Sequence, residues 1–243
     1  MASVRSIAQC MGVDTSANIS VLKKIFGFRN ARVPADPFTS VTAQVSLLDQ
    51  LNAMQGEHYH FNCIRVGFDL FSDGNNTTAI DEIDYATYKT RNIYATRGIG
   101  VGRVEHYIVD SSDSNGLHII TSRGDATDLT QDWTVSNDGL DVFFVFQITS
   151  DAGFIGISNI NGPCDKDAKG RNGMISDVLR GKDATARNVA HEIGHYLSLR
   201  HQNDDGDNIM AQDSSATSIR NSVELSTSQA NDCKDHCSMQ DGC

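Results

Sequence analysis

At 243 residues the chain is long enough for one sizeable domain, with room for two lobes around a cleft. Its net charge of −11 argues against nucleic acid as a partner, because phosphate contacts need clustered Lys and Arg. The 39% hydrophobic content is that of a globular chain, and the longest apolar runs, such as residues 142–146, are too short to cross a bilayer.

The acid is almost all Asp, which favours turns and caps over helix interiors, so a loop-rich, strand-containing chain is expected. The negative charge implies solubility and some attraction for cationic substrates. Six cysteines (Cys10, Cys63, Cys164, Cys233, Cys237 and Cys243) suit an oxidising compartment and up to three disulfides, with fifteen possible pairings. Secretion is therefore expected, although residues 1–12 lack the basic start and apolar core of a leader.

Residues 1–37 show little periodicity beyond a patch at 19–26, and Pro34 and Pro37 punctuate them from the rest of the chain. From Thr39 the apolar positions Val41, Val45, Leu48, Leu51 and Met54 recur at helical spacing. Residues 61–71 read as a strand ending at the turn signal Asp73-Gly74. Residues 78–94 carry both helical and strand-like features. Residues 99–109 and 117–121 read as strands, and 140–148 as an inner strand covered on both faces. Residues 154–160, with glycines at 153 and 156, read as an edge strand, and 174–179 as a further short one. Asp183 offers an N-cap for a helix over 184–199. A last helix is expected to start at Ser226, where Ser226-Thr-Ser-Gln229 has the capping-box pattern.

The informative stretch is His191-Glu-Ile-Gly-His-Tyr-Leu-Ser-Leu-Arg-His201. On a helix, positions i and i+4 share a face, so His191 and His195 can offer imidazoles to a single zinc ion. Glu192 points beside the metal, where its carboxylate can take a proton from a metal-bound water. Three protein ligands leave a fourth position open, as a catalytic rather than a structural zinc requires. By composition alone the five-residue pattern arises in about one such chain per two hundred, and a third His ten residues on makes it far rarer.

The pattern resembles that of the metzincin metallopeptidases, H-E-x-x-H-x-x-G-x-x-H followed by a methionine turn. The resemblance implies zinc ligands at His191, His195 and His201, the general base at Glu192, and the Met-turn residue at Met210 within Asp207-Asn-Ile-Met210. Two positions depart from the family. Ser198 replaces the glycine at the sharp turn, at a backbone cost of about 1 kcal/mol, and leaves Asp204, Asp205 or Asp207 as alternative ligands to His201. Gln212 stands where some members carry a tyrosine that assists at the metal.

The implied fold is α/β (α+β): a twisted mixed β-sheet, a long active-site helix, a zinc cleft and a small C-terminal lobe. The catalytic domain would span 38–243, with an upper lobe over 38–201 and a lower lobe over 202–243, preceded by an N-terminal arm or pro-segment-like extension over 1–37. The edge strand at 154–160 would pair with extended substrate, and the helices from Thr39 and Ser226 would be the family's first and last. The implied activity is zinc-dependent endopeptidase hydrolysis of a protein or peptide substrate, with one catalytic Zn2+, no nucleic acid and no membrane span. Alternatives are a zinc hydrolase of cell-wall peptides or other amides, and an inactive zinc-binding module.

Three weaker patterns remain. Residues 165–170 begin like a calcium loop, but Lys169 occupies a ligand position and no Glu falls at the twelfth, so a solvated loop is expected. Cys233, Cys237 and Cys243 fit disulfides, with reach back to Cys164, better than a structural zinc site. Cys10-Met-Gly-Val-Asp14 loosely matches a zinc-capping pro-segment, and an N-terminal arm is the default.

Overall fold

The structure, a computed structural model, describes residues 47–149, 153–166, 171–212, 214–216 and 222–242. The N-terminal arm, Cys10, Cys243 and most of the supposed calcium loop lie outside the described residues. Five strands form the main sheet in the order β2-β1-β4-β7-β6, from β1 (His58–Val66), β2 (Gly100–Val109), β4 (Gly139–Val145), β7 (Gly173–Asp177) and β6 (Gly156–Ile157). The first four run parallel, and β6 closes one edge antiparallel to β7, with Gly156 opposite Ser176 and Ile157 opposite Ile175. This is the mixed sheet expected from the sequence.

Alternation along β4 shows how the sheet is covered. Leu140, Val142 and Phe144 enter one apolar cluster, whereas Phe143 and Val145 enter the other, so both faces are buried. The first face carries α2 (Asp73–Ala95) and α4 (Lys182–Tyr196), which contribute Ile83, Ala86, Val189, Ala190 and Ile193. The second carries α3 (Arg123–Asp132), through Ala126 and Leu129. Two shorter helices, α1 (Leu47–Ala53) and α5 (Thr227–Lys234), complete the helices among the described residues, with the Ser226–Gln229 capping box formed as expected. Among the described residues no helix is long and apolar enough to cross a membrane.

Several expectations are corrected. The strand placed at 61–71 begins at His58 and stops at Val66; Gly67 at φ 74° then turns the chain into a 3-10 turn, Phe68–Leu70. Asp73-Gly74 is the first turn of α2, behind the N-cap Ser72. The ambiguous stretch 78–94 is helix, and it packs along α4. The run 140–148 is two strands, since β5 (Gln147–Ile148) leaves the main sheet to pair with β3 (Ile119–Ile120). Of the strand read at 117–121, only Ile119–Ile120 forms.

Candidate active site

Helix α4 is oriented by a carboxylate from its neighbour. Glu82 of α2, buried, accepts the N–H groups of Leu179 (2.9 Å) and Gly181 (3.1 Å) and the Thr185 hydroxyl (2.7 Å). An anion at the positive end of a helix is doubly favourable there, by hydrogen bond and by dipole. Gly181, at φ 88°, is the N-cap; Asp183, the expected cap, is the second residue of the helix, within its first turn, and accepts the Tyr85 hydroxyl at 2.9 Å.

Two turns further on, His191 and His195 share one face of α4. Each is oriented by its Nδ1, which donates to a carbonyl: Ile209 O at 2.8 Å and Leu199 O at 2.8 Å. A carbonyl has no proton to give, so the protonated nitrogen is fixed and each Nε2 is left with its lone pair outward. His201 Nε2 lies 3.1 Å from His195 Nε2, and one nitrogen from each of the three rings falls within 4.8 Å of the others. Burial disfavours the charged form of all three imidazoles: it is the largest cause lowering His191 to about 3, followed by the His195 ring, and it also lowers His195 and the more exposed His201. The neutral ring is the form that binds metal.

His201 reaches the group because the chain leaves α4 through a left-handed residue. Ser198 has φ 83°, with Leu199 N–H bonded to Gly194 O (2.8 Å) and Ser198 N–H to His195 O (3.0 Å). This is a Schellman ending with serine in the glycine position. The Ser198 hydroxyl donates to Asn161 Oδ1 at 2.9 Å, which offsets part of the strain. Asp204, Asp205 and Asp207 do not join the histidine group among the described residues.

Met210 is fully buried beneath α4, in a turn held by its N–H on Asn208 Oδ1 (2.9 Å) and by Ala211 N–H on Asn208 O (3.1 Å). A Cβ on Gly194 would stand 2.5 Å from Met210 Sδ, so only glycine lets the sulfur approach between the two helix histidines. Arg187, one turn before His191, donates to Ala211 O and to Ser222 O (3.1 Å), lashing the same turn to the helix.

A cleft of about 430 Å³ runs between this floor and the edge of the sheet. Glu192, buried at its base, packs against β6, where a Cβ on Gly156 would meet Glu192 Cγ at 2.8 Å. Asn188 ties the helix to the edge strand by donating to Ile155 O (3.1 Å) and Ser176 Oγ (2.8 Å). Gln212 lines the opposite wall, its amide oxygen held by Asn203 Nδ2 at 2.7 Å. The cation Arg123 also lines the cleft, 5.6 Å over the Phe154 ring.

The profile of metallo-peptidase family M12 matches residues 69–239, which spans every residue of this site. The chain belongs to family M12. No curated protein matches it in sequence. Among solved structures it is similar to metalloproteinase-II from Bacteroides fragilis, with 18% identity, a TM-score of 0.49 and coverage of 76% of this chain and 54% of that one. It is also similar to archaemetzincin from Methanopyrus kandleri, with 12% identity, a TM-score of 0.48 and coverage of 73% and 95%. The chain thus spans about half the length of the Bacteroides protein.

Membership of a metallo-peptidase family implies a divalent metal, typically zinc. The residues present fit that metal. Zinc–nitrogen bonds of about 2.0–2.1 Å put two ligand nitrogens about 3.3 Å apart at a tetrahedral angle, against 3.1 Å for His195 and His201. Histidines 58, 60, 106, 118 and 236 lie outside the group. The structural-zinc alternative for the C-terminal cysteines is displaced, since Cys237 pairs with Cys164 and Cys233 is a buried thiol. Lys166, in the supposed calcium loop, pairs with buried Asp141 at 2.8 Å.

Sequence reasoning missed Glu82, Arg187, Asn188 and Arg123. A signal existed for two of them: Arg187 and Asn188 stand four residues before His191 and Glu192, on the same helix faces.

Proposed function

We propose that this M12 metallopeptidase is a secreted endopeptidase holding one zinc ion on His191, His195 and His201, with Glu192 as general base and acid. The convergence of three neutral imidazoles and one carboxylate on the floor of an open cleft carries this reading. A zinc ion held there supplies a Lewis acid for the scissile carbonyl and lowers the pKa of attacking water. Glu192 takes the proton of that water and returns it to the leaving amine. Its neighbours Asn188 and Gly156 keep the carboxylate close under the edge strand. The outer edge of β6, unpaired among the described strands, offers backbone groups to an extended peptide lying along the cleft. Met210 supports the two helix histidines from below. The disulfide Cys164–Cys237 supports an oxidising, extracellular setting.

The deciding experiment combines zinc analysis with digestion of a peptide library. About one zinc per chain and complete loss of cleavage in chelator are expected. Glu192→Ala should keep its zinc and lose at least about a hundredfold in turnover, the scale of general base catalysis. Undiminished cleavage in chelator sinks the reading, and zinc binding without any hydrolysis assigns the fold to a binding module instead.

A further inference from the structure

We propose that Arg123, stacked over Phe154 beside the edge strand, forms a subsite for a substrate carboxylate on the C-terminal side of the scissile bond. The inference rests on the peptidase reading above and adds a substrate class to it.

The charge of the cleft runs against that of the molecule. The chain carries a net −11, yet among the described residues the charged groups lining the cleft besides the histidines are two guanidiniums, Arg123 and Arg187, and one carboxylate, Glu192. Arg187 is committed to the carbonyls of Ala211 and Ser222. Arg123 is exposed and has no ion pair among the described residues; its guanidinium lies 5.6 Å over the Phe154 ring. A second cation stands close by. Arg171 is fixed on Asn159 Oδ1 through Nε (3.0 Å) and Nη2 (2.7 Å). After burial, the charge of Arg123 is the next cause holding Arg171 below its ordinary pKa, with Glu192 acting the other way. Two neighbouring guanidiniums, with Glu192 the one carboxylate lining the cleft among the described residues, leave a position beside Phe154 where an anion is favoured.

The direction of the substrate follows from the sheet. Glu192 packs at Gly156, which places the reacting bond beside that residue. Phe154 lies two residues before Gly156, ahead of the strand and across a bend at Ile155, so at most about 7 Å of chain separates them. A peptide pairing antiparallel with β6 runs toward its own C-terminus as it passes from Gly156 to Phe154. Its carboxylate, within the first three residues after the cleaved bond, then meets a planar donor fork that can bind both oxygens. That carboxylate is either an Asp or Glu side chain or the peptide's own C-terminus.

The experiment digests two random peptide libraries with the zinc-loaded full chain, one with free and one with amidated C-termini, and maps cleavage by mass spectrometry. An acidic-side-chain subsite enriches Asp and Glu at the first three positions after the cleaved bond in both libraries. A terminal-carboxylate subsite gives cleavage a fixed short distance from free C-termini and loses it on amidation. Either pattern supports the proposal. Matched Asp and Asn peptides, or free and amidated ones, then give the ratio of kcat/KM in the variants. Arg123→Ala should lower that ratio about tenfold, through KM, Arg123→Lys should retain part of it, and Arg123→Glu should favour Lys in place of Asp. Thermal unfolding of each variant confirms the fold. Cleavage without carboxylate preference, enrichment only before the cleaved bond, or a ratio unchanged in Arg123→Ala overturns the proposal. No cleavage by the wild type at all fails the peptidase reading itself and takes this inference with it.

Discussion

Ser198 stands where the exit from the ligand helix demands a left-handed residue, and the strain of φ 83° is set against one hydrogen bond to Asn161. A non-glycine residue in this region costs about 1–2 kcal/mol, and the exposed hydroxyl bond returns about 0.5–1 kcal/mol. Ser198→Gly should therefore leave the melting temperature within a few degrees of wild type or raise it. Ser198→Ala, which keeps the strain and loses the bond, should lower it by about 2–4 °C; calorimetry reads both. Gly194 gives a sharper test, because Met210 Sδ occupies the space of its missing Cβ. Gly194→Ala should cost about 1–3 kcal/mol by overpacking. Combined with Met210→Ala, which vacates the space, the double variant should be more stable than the sum of the singles predicts, as denaturant titration of the four proteins will show. Zinc content addresses His201: His201→Ala should lose most of its metal, whereas Asp204→Ala, Asp205→Ala and Asp207→Ala keep theirs. The reverse pattern reassigns the third ligand. At this scale the His191–His195 pair was legible from spacing, since a helix of known pitch fixes which side chains meet, whereas His201 lies beyond the helix end and came only with the family resemblance. Arg123 was not legible, because its place in the cleft depends on a helix and a sheet edge that sequence spacing does not relate.

The elements that were misread share a physical reason. From Glu82 onward α2 buries Asp84, Lys89, Arg91 and Asn92 along with its apolar residues, so no polar stripe marks a solvent face. Helix α3 buries only Ala126, Leu129 and Thr130, too few to raise a periodic signal, although its Ser122–Asp125 capping box was there to be read. A continuous apolar run such as 140–148 says that a strand is buried and nothing about where its partner changes. The fitted pair β1 and β2 carries a pH dependence of its own. His60 Nδ1 accepts the Arg103 N–H at 2.9 Å, which needs an unprotonated nitrogen. Burial first, and then the Arg103 charge, lowers its pKa to about 4, with Asp138 opposing. The unfolded chain therefore binds this proton more readily, and the stability His60 confers, complete above pH 6.5, is lost as pH falls toward 4. His60→Gln should be less stable than wild type at pH 7, and the gap should narrow at pH 4.5, measured by denaturant unfolding at both.

Across the whole molecule, one covalent bond joins parts far apart in the chain. The Cys164–Cys237 disulfide closes a span of 73 residues, worth about 4 kcal/mol in restricted unfolded-state freedom. Serine at both positions should lower the melting temperature by about 10 °C, and reductant should do the same to the wild type, read by calorimetry. The bond also determines which parts of the protein open together. Asn161 and Gly162 donate their N–H groups to the last carbonyls of α4, on His195 and Tyr196, at 2.9 and 2.8 Å. His236, just beyond α5, bonds Gly162 O at 3.0 Å, next to the disulfide. The end of the ligand helix, the loop that covers it and the C-terminal helix are thus one cooperative unit for amide exchange. Their protons should exchange with deuterium at a common slow rate while the disulfide is intact and at a common faster rate once it is reduced, so the thiol environment would govern how often the floor of the cleft opens.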